Sequence, residues 1–212
     1  MNSKKVSVIV VAHEAYVEYL AECIHSIESQ HYGNELIIVN NGGSVVVDEM
    51  IEYASTHRDA VIIRTDPQSL AAASNRGINA STGEYFMRVD ADDSITPMTV
   101  GLLVRVAASY NCDAVHCDYF GGDSVRHHEK LEHACGVLIK RETFEALGGY
   151  DESLHYQEAF DLWCRFRRDG YVSKHLPLPL YFYRSGHASM SLNIEEREKV
   201  RKMLEEKYGV TK

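Results

Sequence analysis

The stretch Glu84-Tyr85-Phe86-Met87-Arg88-Val89-Asp90-Ala91-Asp92-Asp93 reads as a short strand that stops in three carboxylates within four positions. Tyr85, Phe86, Met87 and Val89 are good strand formers, and Ser81-Thr82-Gly83 ahead of them is a turn signal. Carboxylates this close repel one another unless something cationic neutralises them. A hard divalent ion would do so, since Mg2+ takes one or two carboxylates together with substrate phosphates. The bland alternative is a solvated acidic turn, and an isolated Asp-x-Asp does not separate the two.

Working outward, Val6 to Ala12 is nearly all apolar and rich in β-branched residues, the pattern of a strand buried on both faces of a parallel sheet. Tyr16 to Gln30 is predicted helical, with Tyr16, Leu20, Cys23, Ile24 and Ile27 forming one apolar stripe. Strands are predicted at Leu36 to Val39 and Ala60 to Arg64, and helices at Val45 to Ser55 and Ser69 to Asn79. This alternation predicts an α/β fold: an open, mostly parallel sheet with helices on both faces. Ligands bind outside the carboxyl ends of such strands. His13 and Glu14, Asn40 and Asn41, and Asp90 to Asp93 all fall there, which favours a functional reading of the acidic cluster.

The second half is less regular. A helix is expected over Thr96 to Tyr110 with Pro97 in its first turn, a strand over Ala114 to Tyr119, and a loop over Gly121 to Lys130. Gly136 to Ile139 reads as a strand, Arg141 to Leu147 and Glu158 to Asp169 as helices, and Leu176 to Tyr183 as an extended segment. Ile194 to Tyr208 reads as a charged terminal helix.

With 212 residues, the chain suits one α/β domain. A formal net charge of -9 disfavours a nucleic-acid partner, which needs a clustered basic surface. Cys23, Cys112, Cys117, Cys135 and Cys164 include no Cys-x-x-Cys pair, so reduced thiols and a cytoplasmic location are the expectation. No signal peptide or transmembrane run is visible, so contact with a membrane would be peripheral.

Taken together, the segments resemble the family 2 glycosyltransferases, inverting nucleotide-sugar enzymes of the GT-A fold. The resemblance rests on Val6 to Val10, Glu35 to Gly42, Ala72-Ala73-Ser74-Asn75-Arg76-Gly77, Thr82 to Tyr85, Val89 to Asp93, Phe144 to Asp151, and Glu158 with Asp161-Leu162-Trp163. It implies a Rossmann-like nucleotide-sugar half over 1–95, an acceptor and catalytic half over 96–191, and a terminal helix over 192–212. It also implies that Val11, Ala12, His13, Glu14 and Asn41 surround the base, usually uracil, so a UDP-sugar is the expected donor. The family commonly has aspartate where Asn41 stands, which leaves the base identity open. Asn75 matches a position near the nucleotide, and Arg76 stands in for an arginine that the family often has at Ser74. Asp90 and Asp92 match the Asp-x-Asp motif. Asp92 is the expected ligand of Mn2+ or Mg2+, with Asp90 or Asp93 on ribose or on metal-bound water.

The main departure is at the base. An inverting transfer needs a carboxylate to take the acceptor hydroxyl's proton. Where the family usually reads Glu-Asp-x-Asp-Leu-Trp, this chain reads Glu158-Ala159-Phe160-Asp161-Leu162-Trp163. Three readings stay open: Glu158 as base, Asp161 as base or structural partner, or a nucleotide-sugar-binding protein with little or no transferase activity. His187, three residues after Arg184 rather than two, is a further candidate metal ligand. His127, His128 and His133 are expected in a solvated loop. The acceptor, a saccharide, a lipid-linked molecule or a protein, is expected between the 121–133 loop and the helix at Glu158.

Overall fold

A computed structural model of the chain describes residues 4–54, 60–134, 136–185 and 193–210. The first half alternates as expected: β1 (Val6–Ala12), α1 (Val17–Glu28), β2 (Glu35–Asn41), α2 (Val45–Ala54), β3 (Val61–Thr65), α3 (Leu70–Ala80) and β4 (Tyr85–Asp90). Then follow β5 (Ser94–Ile95), α4 (Thr99–Tyr110), β6 (Ala114–Gly121), β7 (Ser124–Arg126), β8 (Val137–Lys140), α5 (Arg141–Ala146), α6 (Glu158–Arg168), β9 (Ser173–Tyr183) and α7 (Ile194–Tyr208). The strand order is β3-β2-β1-β4-β8-β6-β9-β5, with β7 hairpinned onto β6. The strands from β3 to β4 are parallel, β8 runs antiparallel between β4 and β6, and β9 is parallel to β6.

The pleat sorts each strand onto two cores. Val6, Val8 and Val10 of β1 with Met87 and Val89 of β4 meet Leu20, Ile24 and Ile27 of α1 and Leu103 of α4. Ile9, Ile37 and Phe86 face the other way, toward Ala71 and Ile78 of α3, Phe144 of α5, and Leu162, Trp163 and Phe166 of α6. Ser7, polar within β1, is used there: its Oγ donates to Glu35 (2.7 Å) and accepts from the Gly83 amide (2.9 Å). α3 lies close over the sheet because Gly77 has no side chain. A Cβ there would sit 2.8 Å from Ile9 and 2.9 Å from Val39.

Two expectations shift. The helix expected from Thr96 starts at Thr99, because Ser94–Ile95 pair with β9 and the Thr96 amide bonds to the Leu180 carbonyl at 3.0 Å. The expected 121–130 loop contains β7, a three-residue strand too short for any hydrophobic period. β9 tolerates Pro177 and Pro179 because the β6–β9 register slips between Cys117 and Tyr119, so the missing amides fall at an irregularity.

Candidate functional site

β1, β2 and β4 end together, with Val11 beside Asp90 and Ala12 beside Asn40 in register. Beyond β4 the chain folds back at once, the Asp93 amide donating to the Asp90 carbonyl at 2.9 Å. Asp93 is buried and accepts from the Tyr181 hydroxyl (2.7 Å) and the Arg184 amide (2.8 Å). Tyr181 in turn accepts from the Asp90 amide at 3.2 Å. Burial, and then the neighbouring Asp90 carboxylate, push Asp93 up to about 8. Asp93 is therefore the member of the cluster that anchors β9 to the turn, while Asp92 stands half-buried at its tip.

Two arginines bracket this acidic turn. Arg184 donates through Nε to the Asp92 carbonyl (2.8 Å) and through Nη2 to Glu22 (2.7 Å), with its guanidinium over the Tyr19 ring at 4.4 Å. On the opposite side, Arg88 is buried on the α6 face of β4. Its Nε forms an ion pair with Asp90 Oδ1 at 3.0 Å, and its Nη1 donates to Glu158 Oε1 at 3.0 Å. The repulsion that the sequence assigned to a metal is thus met in part by Arg88 at Asp90, while Arg184 braces the turn through the Asp92 carbonyl. Arg88 carried a detectable signal: a charge at a strand position otherwise flanked by apolar residues needs buried counter-charges.

The remaining site residues lie on the same edge, several already bonded within the fold. Val11 is half-buried, Ala12 buried, and His13 and Glu14 exposed. Glu14 accepts from the Ser44 amide at 3.0 Å, and the Ser44 hydroxyl, then this amide, hold its carboxyl below the usual range. The Asn41 amide is used twice by Gln68, accepting from its N–H (3.0 Å) and donating to its carbonyl (2.9 Å), so it fastens the loop before α3. Asn75 is similarly occupied, accepting from the Tyr150 amide (3.0 Å) and donating to the Tyr150 carbonyl (2.9 Å) and to Glu152 (2.9 Å). It holds the Gly148-Gly149-Tyr150 turn, where both glycines have positive φ and a Cβ on Gly149 would meet Asn75 at 3.1 Å. Arg76 is exposed on the outer side of α3. His187 lies outside the described residues.

The two carboxylates of α6 diverge. Glu158 opens the helix after Gln157, which takes a left-handed φ of 65°, and it points inward to Arg88. Asp161 is 1% exposed and turns to the other side, where Oδ2 accepts from Arg165 (2.8 and 2.6 Å) and Oδ1 from Tyr208 (2.6 Å) and Lys207 (3.4 Å). Of the two roles kept open for Asp161, the geometry supplies the structural one: it clamps α6 to α7.

Most of the 121–133 loop is exposed as expected, His127 and His133 included, but His128 is not. His128 is 3% exposed, His116 of β6 likewise, and their rings meet at 5.0 Å, with His175 stacked on His116 at 5.1 Å. Burial, reinforced by neighbouring histidines, pushes His116 down to about 4 and His128 down to about 3. Asp118 accepts from the His128 amide (2.9 Å) and pairs with His127 (2.9 Å) and His175 (2.7 Å). Leu131 and Ala134 join the α6 core, Trp163 donates to the His133 carbonyl (2.8 Å), and Arg167 to that of Leu131 (2.9 Å). The loop packs on α6 at Leu131 and Ala134, and a cavity of about 500 Å³ lies between them, lined by Lys130, Leu131, Glu132, Phe166 and Arg167. Open space also lies beside the acidic turn, in a cleft of about 430 Å³ lined by Glu22, Ser94, Phe120, Asp123, Phe182 and Arg184.

Among the described residues, no three His, Cys, Asp or Glu side chains are arranged to hold a metal by themselves. An ion at Asp92 would need oxygens from a diphosphate, a donor set that suits Mg2+ or Mn2+. No described helix is long and apolar enough to cross a membrane.

Comparison with known proteins gives this edge its context. S. aureus TarS 1-349 in complex with UDP-GlcNAc superposes with a TM-score of 0.80 at 14% identity, covering 94% of this chain and 65% of that one. The mannosyltransferase PcManGT from Pyrobaculum calidifontis, in complex with GDP-Man and Mn2+, gives 0.70 at 20% identity, covering 93% and 60%. These likenesses show the fold, which is GT-A. In sequence, the uncharacterized glycosyltransferase RP339 of Rickettsia prowazekii is 29% identical over 193 residues, 78% of this chain and 59% of that protein. Glycosyltransferase GlyA of Streptococcus pneumoniae is 31% identical over 118 residues, 55% of this chain and 17% of its own length. The chain thus spans less than two thirds of the length of these curated relatives. The sequence profile described as glycosyl transferase family 2 matches residues 7–164, from the start of β1 into α6, and the chain belongs to that family.

Proposed function

We propose that the protein transfers a sugar from a nucleotide-diphosphate donor to an acceptor hydroxyl, with inversion, and that Glu158 takes the acceptor's proton. The observation that carries this reading is the placement of Glu158 by Arg88, directly across from Asp90 of the acidic motif. Ala159 cannot accept a proton, and Asp161 is fully engaged on the far side of α6. Asp92 would hold Mn2+ or Mg2+ together with the donor's diphosphate. The ion, when bound, stabilises negative charge on the departing nucleoside diphosphate without proton transfer. The neighbours' bound UDP-GlcNAc and GDP-Man support a nucleotide-sugar donor, and a UDP-sugar is the first candidate.

The chain's own residues assist. Tyr181 and Arg184 hold the turn that carries Asp92, and Asn75 seats the turn that leads toward α6. A panel of sugar nucleotides with Mn2+, read by thermal shift, should find a donor that stabilises the native state. Asp92→Ala should weaken metal-dependent nucleotide binding at least ~100-fold, and equal affinity with and without Mn2+ would remove the metal assignment. Glu158→Gln should keep donor affinity while lowering kcat by ~100-fold or more, the scale of general-base catalysis. An unchanged kcat would return the base to another group. Donor binding with neither transfer nor hydrolysis would support a non-catalytic binding protein instead.

A further inference from the structure

We propose that Arg88 is a positioning residue that ties the two functional carboxylates, Asp90 and Glu158, to one rigid guanidinium. This rests on the transfer reading above and deepens it. The Arg88 side chain is 5% exposed and is held by three elements besides its own strand. Ser74 of α3 receives Nη1 at 3.4 Å, the Tyr150 ring lies 5.7 Å from the guanidinium carbon, and Glu158 of α6 receives Nη1 at 3.0 Å. Tyr150 is itself fixed by the paired bonds of Asn75. The guanidinium therefore has little freedom: it donates a directional hydrogen bond to Glu158 and holds Asp90 as an ion pair at 3.0 Å, with Nε making no hydrogen bond.

The chemistry gives this tie a purpose. In-line attack needs the proton acceptor and the diphosphate-binding motif at a fixed separation, and a misplacement of about 1 Å can cost ~100-fold. Family enzymes with the usual Glu-Asp pair have a second acid at the helix start. Here Ala159 leaves Glu158 as the carboxylate at that position, and Arg88 is what aims it. A lysine could supply the charge but not the two-way geometry. Asp90, with Oδ1 turned to Arg88, is correspondingly drawn away from metal binding, which leaves that task to Asp92.

The test compares Arg88→Lys, Arg88→Met, Glu158→Gln and the double variant R88M/E158Q in the full chain. With the donor found by the panel, R88K should lower kcat ~100-fold while calorimetric UDP or GDP affinity with Mn2+ stays within about threefold. In the E158Q background, R88M should cause no further loss of kcat, because a residue acting through Glu158 has nothing left to position. Losses that multiply, or an R88K kcat within threefold of the parent, would overturn the proposal. If the parent binds nucleotide yet turns over no donor, the transfer reading fails. The tie is then read from urea denaturation, where R88M and E158Q should each destabilise and the double variant should lose less than their sum. A fully additive loss would overturn the tie as well.

Discussion

At the carboxyl edge of β1 and β2 the polar side chains are bonded mostly to backbone, whereas on the β6–α6 flank buried charges are met by other side chains. Asn41 bonds the Gln68 backbone, Asn40 the Gly43 amide, and Glu14 the Ser44 amide. On the flank, Asp161 meets Arg165 and Tyr208, Asp118 meets His127 and His175, and Arg88 meets Glu158. A backbone partner survives any substitution of its own side chain, and losing one such bond costs little. A buried charge pair is different, because removing one member strands the other. The strand-end edge is therefore built to keep loops in place, and the flank is built to hold α6 to its neighbours.

This contrast can be broken most sharply at Asp161. Asp161→Asn should reduce unfolding free energy by about 3–5 kcal/mol, the cost of breaking a buried ion pair, with kcat per folded molecule unchanged. A variant with full stability and lost turnover would make Asp161 a catalytic group after all.

The histidine pair gives the next largest effect. His116 and His128 lie below the ordinary histidine value in the fold, so the unfolded chain binds more protons between about pH 6.5 and pH 4. Stability should be fully present above pH 6.5 and fall as the pH drops through that window, by about 3 kcal/mol for a shift the size of His116's. His128→Phe should flatten the decline measured by urea denaturation, and an equally steep profile would rule out the pair as its source. Asn41→Asp should be mildest. It keeps the bond accepted from Gln68 N–H but places a carboxylate oxygen against the Gln68 carbonyl, costing about 1–2 kcal/mol. Stability equal to the parent would show that the loop does not depend on this amide.

Much of the fold was legible because its signals are local. The apolar run from Val6 to Ala12, the apolar stripe of α1 and the charged helix α7 all fall where the sequence puts them. Ser69 caps α3 by accepting from the Ala72 amide at 3.2 Å, at the place where the sequence begins that helix. β5 and β7 were invisible because strands of two and three residues carry no period and exist only through their partners. The acidic turn was legible as a cluster at a strand end, but its electrostatics were not. The carboxylate pattern calls for a metal where the fold also supplies Arg88.

The sequence by itself determined the βα alternation, the strand ends that gather His13, Asn41 and Asp90 to Asp93, and the loss of the usual acid at Ala159, since each is written in neighbouring residues. Only the tertiary structure decided which groups face one another: Asp161 toward α7, Glu158 toward Arg88, and His128 against His116 of β6 rather than in water. The reason is one of range. Arg88 and Glu158 are 70 positions apart, and no local pattern specifies a bond that forms only when two cores pack.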